Sequence, residues 1–251
     1  IEEIYYFIIK NKYKNLHSRK TLHKEINLKN IYIDQIIKNI DIANKKKIAV
    51  DAGNGVAGPI AIETYKRLGF DVVDLYCDID GDFPNHHPNP SDPRNLQDLI
   101  NTVRKSKCDI GIAFDGDGDR CLIIDNLGNI IWADKQMMLF AGEILSKNKR
   151  RKIIFDVKCS ANLPKIIEDN GGIPIMSRTG HSFIKKKISE TNASLAGEMS
   201  GHIFFNDKWY GFDDGIYSGA RMLEIISKNN NPSCEIFNTL PKSFVTPEIN
   251  I

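Results

Sequence analysis

Apolar positions along the chain alternate between two periods. Ile33, Ile36, Ile37 and Ile40 recur at helical spacing and predict a helix over about 30–43. Residues 1–13 predict an earlier helix with one apolar side, and we read 1–26 as the tail of an upstream unit. Strands and helices then take turns. Lys47 to Ala52 predicts a strand, and 59–68 a helix with Pro59 in its first turn and Gly69 as its stop. A strand over 70–77 precedes a polar loop, Gly81 to Pro90, and a helix near 95–105. The apolar runs 110–114 and 121–124 predict two buried strands. The alternation restarts with helix 134–146, strand 153–158, helix 161–170, strand 173–177, helix 181–190 and strand 194–198, and Ile203 to Phe205 adds another strand. Two successive α/β units, 27–129 and 130–241, each with its own sheet, account for this order.

Composition narrows the function classes. With 34 basic against 32 acidic residues the net charge is +2, so no polyanionic partner is implied. The lysine runs at 45–47 and 185–187 have no interleaved aromatics, so no nucleic-acid surface is expected. No apolar run approaches the roughly 18 residues that span a bilayer, so no membrane partner is expected either. The cysteines at 77, 108, 121, 159 and 234 form no Cys-x-x-Cys pair, which predicts reduced thiols and a cytoplasmic protein.

Residues 115–120 read Asp-Gly-Asp-Gly-Asp-Arg, between two predicted strands. Three carboxylates at alternate positions repel one another unless a cation neutralises them, and the glycines let the backbone curl until they converge. An all-oxygen donor set suits a hard cation such as Mg²⁺. An EF-hand would need Gly at its sixth position and Glu at its twelfth, where this chain has Arg120 and Asn126. An ordinary turn needs one Asp, not three. Asp115, Asp117 and Asp119 are therefore the metal candidates.

Gly53, Gly55 and Gly58 form a Gly-x-Gly-x-x-Gly after a strand, with Asp74 about twenty residues on, which is the dinucleotide-binding pattern. Asp51 before the glycines and Pro59 after them oppose that reading, and a nicotinamide enzyme has no role for the Asp loop. A Rossmann-type NAD-binding oxidoreductase stays as an alternative. A second polar loop, Gly197-Glu198-Met199-Ser200-Gly201-His202, joins two strands and presents carboxylate, hydroxyl and imidazole, a set suited to sugar hydroxyls. Thr179-Gly180-His181-Ser182 opens a helix, whose N-terminus favours anions. Lys158 is expected at the end of strand 153–158, on the edge where open α/β sheets bind ligands. Simple capping for His181 and a plain surface lysine for Lys158 are the competing structural readings.

Together these segments, with Val50–Gly55, Phe83–Pro88, Phe155–Cys159 and Trp209–Gly215, resemble the α-D-phosphohexomutases, within them the bacterial phosphomannomutase/phosphoglucomutase type. The resemblance runs along nearly the whole chain. It implies two consecutive α/β domains, each a mixed sheet packed by helices, the second and third of four around a cleft. It further implies an Mg²⁺-dependent intramolecular phosphotransferase that interconverts mannose or glucose 1-phosphate and 6-phosphate through a phosphoserine and a hexose 1,6-bisphosphate. By the same resemblance Asp115, Asp117 and Asp119 hold one Mg²⁺, and Arg120 contacts the phosphoserine or the transferring group. Glu198, Met199, Ser200 and Gly201 form the sugar loop. Lys158, His181 and His202 line the cleft, with His202 assigned to proton transfer. Met199 and Gly118 fit the mannose/glucose type, whereas phosphoglucosamine mutases, a second alternative, typically have Gln and Ala there. The chain departs from the family in having no Ser-His-Asn-Pro segment; Asn89-Pro90 and Asn231-Pro232 do not follow Ser-His. Residues 242–251 look like the start of the phosphate-binding domain. The expectation is a chain inactive by itself, whose partners are the sugar phosphate and the flanking domains of the same protein; a non-catalytic remnant is the remaining alternative.

Overall fold

Two mixed sheets form where apolar and β-branched residues alternate, and each face of each sheet meets its own helices. The computed structural model describes residues 2–10 and 24–242. Helix α1 (Glu2–Ile9) buries none of its residues, whereas α2 (Lys29–Asn39) buries Ile33 and Ile36. The first unit continues with β1 (Lys47–Asp51), α3 (Gly58–Arg67), β2 (Asp71–Leu75), α4 (Gln97–Lys105), β3 (Ile110–Phe114), β4 (Cys121–Asp125) and the short β5 (Ile130–Ile131). The second contains α5 (Ala133–Lys147), β6 (Lys152–Asp156), α6 (Asn162–Asp169), β7 (Ile173–Ser177), α7 (His181–Thr191), β8 (Leu195–Gly197), β9 (Ile203–Phe205), α8 (Gly215–Ser227) and α9 (Ser233–Asn238).

The sheet orders are β2-β1-β3-β4-β5 and β7-β6-β8-β9. In each, three parallel strands are followed by an antiparallel one: β4 against β3, and β9 against β8. The two units thus repeat one topology, which the sequences do not reveal. Period-two alternation sorts the side chains. Ala49, Ala113, Leu122 and Ile124 face α4, while Ile48, Val50, Ile112 and Ile123 face the opposite way. In the second sheet Ile154, Ala196 and Phe204 face α7, while Ile153, Phe155, Leu195 and Phe205 join the same large cluster as the first sheet. One continuous apolar core therefore lies between the sheets, filled by α3, α5, α6 and α8.

Several expected boundaries move. The first sheet runs past the division expected near 129, because β5 pairs with β4 through Ile130 and Ile131. The helix expected over 30–43 stops at Asn39, where Ile40 turns extended. The strand expected to reach Lys158 ends at Asp156, so Lys158 sits in the following turn and is exposed. Helices α8 and α9 were not expected. Every residue of α8 except Ile225 is buried, including Ser218, Arg221, Glu224 and Ser227, which recur at every third position along it. Its Gly219 lies against Tyr65 of α3, whose hydroxyl donates to Ile216 O at 3.0 Å. Most of the segment read as an upstream tail, 11–23, and residues 243–251 lie outside the described residues. No helix among the described residues is long and apolar enough to cross a membrane.

Candidate functional site

The chemically loaded loops leave the C-terminal ends of the parallel strands, at equivalent places in the two units. The Asp loop joins β3 to β4 and the Glu198 loop joins β8 to β9. They meet: Arg120 and His202 form an antiparallel β-bridge, and Cys121 N donates to Gly201 O at 3.2 Å. Metal candidates and sugar candidates are thus stitched together by backbone.

Asp115, Asp117 and Asp119 each offer an oxygen within 4.8 Å of the others, as the alternation predicts. Asp115 is buried, Asp119 half-buried and Asp117 exposed. Arg120 is held to Asp115 by its backbone N (3.0 Å) and by its side-chain Nε (2.5 Å), and its Nη1 reaches Asn89 Oδ1 at 3.3 Å. The guanidinium is thus fixed before any ligand arrives. Asp117 and Asp119 open onto a cleft of about 490 Å³ whose other walls include Tyr32, Val56, Phe212 and Asp213.

The glycine pattern serves this loop and not a dinucleotide. Five of the amides that would meet a pyrophosphate are spent on the protein itself. Gly53 N donates to Asp51 Oδ1, Asn54 N to Tyr76 O, Gly55 N to Ala52 O, Val56 N to Gly116 O and Gly58 N to Gly55 O. A Cβ on Gly55 would stand 2.8 Å from Gly116 O, and one on Gly58 would overlap the backbone of Cys77. Glycine is required at both positions because the backbone of the Asp loop and the end of β2 come so close.

In the other loop, Glu198 is 1 % exposed, and its Oε1 accepts from Gly180 N at 2.5 Å. Burial raises the Glu198 pKa, against the Gly180 N–H bond. His202 Nδ1 lies 2.9 Å from Ser200 Oγ and 3.5 Å from Glu198 Oε2, while its Nε2 lies 3.2 Å from Asp119 Oδ1. Burial opposes a charged imidazole there, but Asp119, Glu198 and Asp213 outweigh it and the His202 pKa is raised. The His181 ring stacks on that of His202, centroids 5.8 Å apart. Of the expected residues, Asp115, Asp117, Asp119, Arg120, His181, Glu198, Ser200, Gly201 and His202 come together. Met199 is placed by its N–H, which donates to Asp156 at 3.3 Å, and Lys158 stands in the turn two residues beyond that aspartate.

Sequence reasoning missed the supports. Asp156 is fully buried and accepts from Thr179 Oγ1 at 3.0 Å and from Met199 N, so it ties the helix-opening segment to the sugar loop. Asp51, at the matching end of β1, accepts from Gly53 N at 2.9 Å and pairs with His86 Nε2 at 3.1 Å. That pair fastens the 81–91 loop, from which Asn89 meets Arg120 and Ser91 Oγ donates to Ser200 O at 3.2 Å. Asp214, also missed, caps α8 and accepts from Tyr32 OH (2.8 Å) and Trp209 Nε1 (3.1 Å). The available signal was a single Asp closing each first strand, in Val50-Asp51 and Phe155-Asp156.

Comparison with known proteins agrees with this layout. Residues 30–128 match the family model described as phosphoglucomutase/phosphomannomutase, alpha/beta/alpha domain II, and residues 132–244 match domain III. The chain is 54% identical over 220 residues to a phosphoglucomutase of Neisseria meningitidis serogroup A, covering 88% of this chain and 48% of that protein. It is 52% identical over 220 residues to a phosphomannomutase/phosphoglucomutase of Pseudomonas putida, with the same shares covered. A crystal structure of a phosphoglucomutase/phosphomannomutase family protein from Burkholderia thailandensis superposes with a TM-score of 0.92 at 47% identity, over 98% of this chain and 53% of that one. The chain spans about half the length of the curated relatives it matches. Two sheets of one topology, joined at an Asp loop and a Glu-Met-Ser-Gly-His loop and matched over both domains, place this chain in the phosphoglucomutase/phosphomannomutase family.

Proposed function

We propose that the protein containing this chain interconverts hexose 1-phosphate and 6-phosphate, with mannose or glucose as the sugar, as an Mg²⁺-dependent intramolecular phosphotransferase. The phosphoryl donor in this reading is a phosphoserine outside the chain, and a hexose 1,6-bisphosphate is the intermediate and activator. The observation that carries the reading is the Arg120–His202 bridge, which sets an all-oxygen cation cluster beside a buried Glu-Ser-His sugar loop.

The residues present fit the metal. Three carboxylate oxygens converge within 4.8 Å, and Asp119 Oδ1 is buried without a well-aligned hydrogen bond. Asp115, Asp117 and Asp119 would hold a single Mg²⁺, which when bound neutralises charge on phosphoryl oxygens. Arg120, pinned by Asp115 and Asn89, adds a fixed positive charge at the same place, and such preorganised charge supplies most phosphoryl-transfer catalysis. Glu198 and Ser200 accept from and donate to the sugar hydroxyls, while Lys158 and His181 line the sugar side of the cleft. His202 is the proton carrier in this reading: it takes the proton of the sugar hydroxyl that attacks phosphorus and returns it to the sugar oxygen that leaves in the second half-reaction.

Gly118 favours this sugar type over a phosphoglucosamine mutase. Its φ is +77° and a Cβ would lie 2.9 Å from Ala57 Cβ, so the alanine of that alternative is strained here. The five cysteines are free, and we place the protein in the cytoplasm. The deciding experiment is ³¹P NMR of the intact gene product with mannose or glucose 1-phosphate, Mg²⁺ and a trace of hexose 1,6-bisphosphate. Appearance of the 6-phosphate, abolished by Asp117→Ala, is expected. No conversion of either sugar phosphate would overturn the reading and leave a non-catalytic remnant.

A further inference from the structure

Asp119 Oδ1, already given to the Mg²⁺ cluster, lies beside a second carboxylate, Asp213, that neither loop uses. Asp119 Oδ1 and Asp213 Oδ2 are both buried without a well-aligned hydrogen bond, and only imidazoles face them, His202 Nε2 at 3.2 Å from the first and His181 Nδ1 at 3.9 Å from the second. Such buried oxygens are rare and costly unless water or an ion compensates them. Asp213 is 9 % exposed as a residue and contributes the second of these oxygens from the loop before α8. His202 Nε2 stands with them, and one donor atom from each of Asp119, His202 and Asp213 lies within 4.8 Å of the other two.

We propose that Asp119, His202 and Asp213 form a second cation site, taking a borderline transition metal, Zn²⁺, and sharing Asp119 with the Asp115–Asp117–Asp119 cluster. The donor set separates the two ions. Zn²⁺ takes imidazole nitrogen and carboxylate oxygen together, whereas Mg²⁺ prefers oxygen alone. The supports around the donors are those of built metal sites, in which partner groups orient each ligand. Ser200 Oγ at 2.9 Å and Glu198 Oε2 at 3.5 Å face His202 Nδ1 and keep Nε2 turned to Asp119 Oδ1, 3.2 Å away, where a cation would replace the proton between them. Lys185 Nζ holds Asp213 Oδ1 at 2.7 Å and leaves Oδ2 turned to the cluster. The His181 ring lies nearly parallel to that of His202, centroids 5.8 Å apart.

Zinc in this site has two effects on its neighbours. It draws Asp119 away from the three-carboxylate cluster, so Zn²⁺ and Mg²⁺ bind against each other. It also occupies the nitrogen to which the proposed function gives the proton, so a loaded enzyme would be inhibited. That second effect rests on the mutase reading; the binding itself does not and survives its failure.

Calorimetric titration of this chain with ZnCl₂, and separately with MgCl₂, tests the site. His202→Gln and Asp213→Asn are each expected to weaken Zn²⁺ binding by about tenfold or more, because disturbing even the supports of a metal ligand costs that much. Both should leave Mg²⁺ binding intact, which also shows that they fold. Asp117→Asn should do the reverse, weakening Mg²⁺ and sparing Zn²⁺. Visible absorption of bound Co²⁺ should lose its nitrogen-ligand signature in His202→Gln. Absence of Zn²⁺ binding by the unaltered chain, or Zn²⁺ binding that Asp117→Asn abolishes and His202→Gln spares, would overturn the proposal.

Discussion

His86 titrates where most proteins are handled. Its hydrogen bond to Asp51 raises the pKa from 6.5 to about 9, against the opposing effect of burial. Below about 6.5 folded and unfolded chains both hold the proton, and the pair contributes fully. Between 6.5 and 9 only the folded chain holds it, so rising pH favours unfolding, and above 9 the contribution is gone. Thermal melts followed by circular dichroism should therefore show a falling midpoint across that window, and His86→Gln should flatten the slope. An unchanged slope in His86→Gln would show that the pair is not what fastens the 81–91 loop. Glu198 makes a separate prediction. Glu198→Gln keeps an oxygen for Gly180 N but removes the charge, and hydrogen bonds to charged groups contribute about 1.5–3 kcal/mol. Titration with hexose 6-phosphate should show roughly tenfold to a hundredfold weaker binding at unchanged Mg²⁺ affinity. At this scale the sequence was legible where chemistry was crowded, as in Asp115–Arg120 and Glu198–His202. It was opaque at Asp51, Asp156 and Asp214, because one carboxylate after an apolar strand, or before a helix, looks the same whether it caps a turn or holds a site together.

Among the elements, α8 decides how the two units fit. Its N-terminus sits on the Asp loop: Gly215 N donates to Gly118 O at 3.0 Å, and a Cβ there would meet the carbonyls of Gly118 and Arg120 at 2.7 Å. Its middle carries Arg221, buried under Phe205 and paired with Asp207 and Glu143. Asp214 is the joint, capping α8 while binding Tyr32 of α2 and Trp209. Burial raises its pKa, against four hydrogen bonds that favour the carboxylate. Asp214→Ala loses the cap and strands two buried donors, an expected loss of roughly 3–5 kcal/mol in a urea melt, whereas Asp41→Ala, at an exposed aspartate, should cost little. The alternating elements up to β9 were readable because each showed a period of 2 or 3.6 on a half-buried surface. Helix α8 was missed although Ser218, Arg221, Glu224 and Ser227 recur at helical spacing, because its polar face is buried rather than turned to solvent.

Across the molecule, the core between the sheets is continuous, and α8 touches both. Urea unfolding followed by the fluorescence of Trp132 and Trp209 and by far-UV circular dichroism should therefore coincide in one transition. Two separated transitions would mean that the units unfold independently despite the shared core. The two-unit plan was visible in the restart of the strand–helix alternation, but the common topology of the units was not. Topology depends on which strands pair, and strand pairing leaves no local mark in the side-chain pattern. The bridge between Arg120 and His202 has a mechanical corollary. Because cation loop and sugar loop share a backbone contact, neither can swing relative to the other like the jaws of a clamp. A ligand whose two ends must visit the cation in turn, as the proposed bisphosphate would, then has to tumble between two loops that keep their spacing.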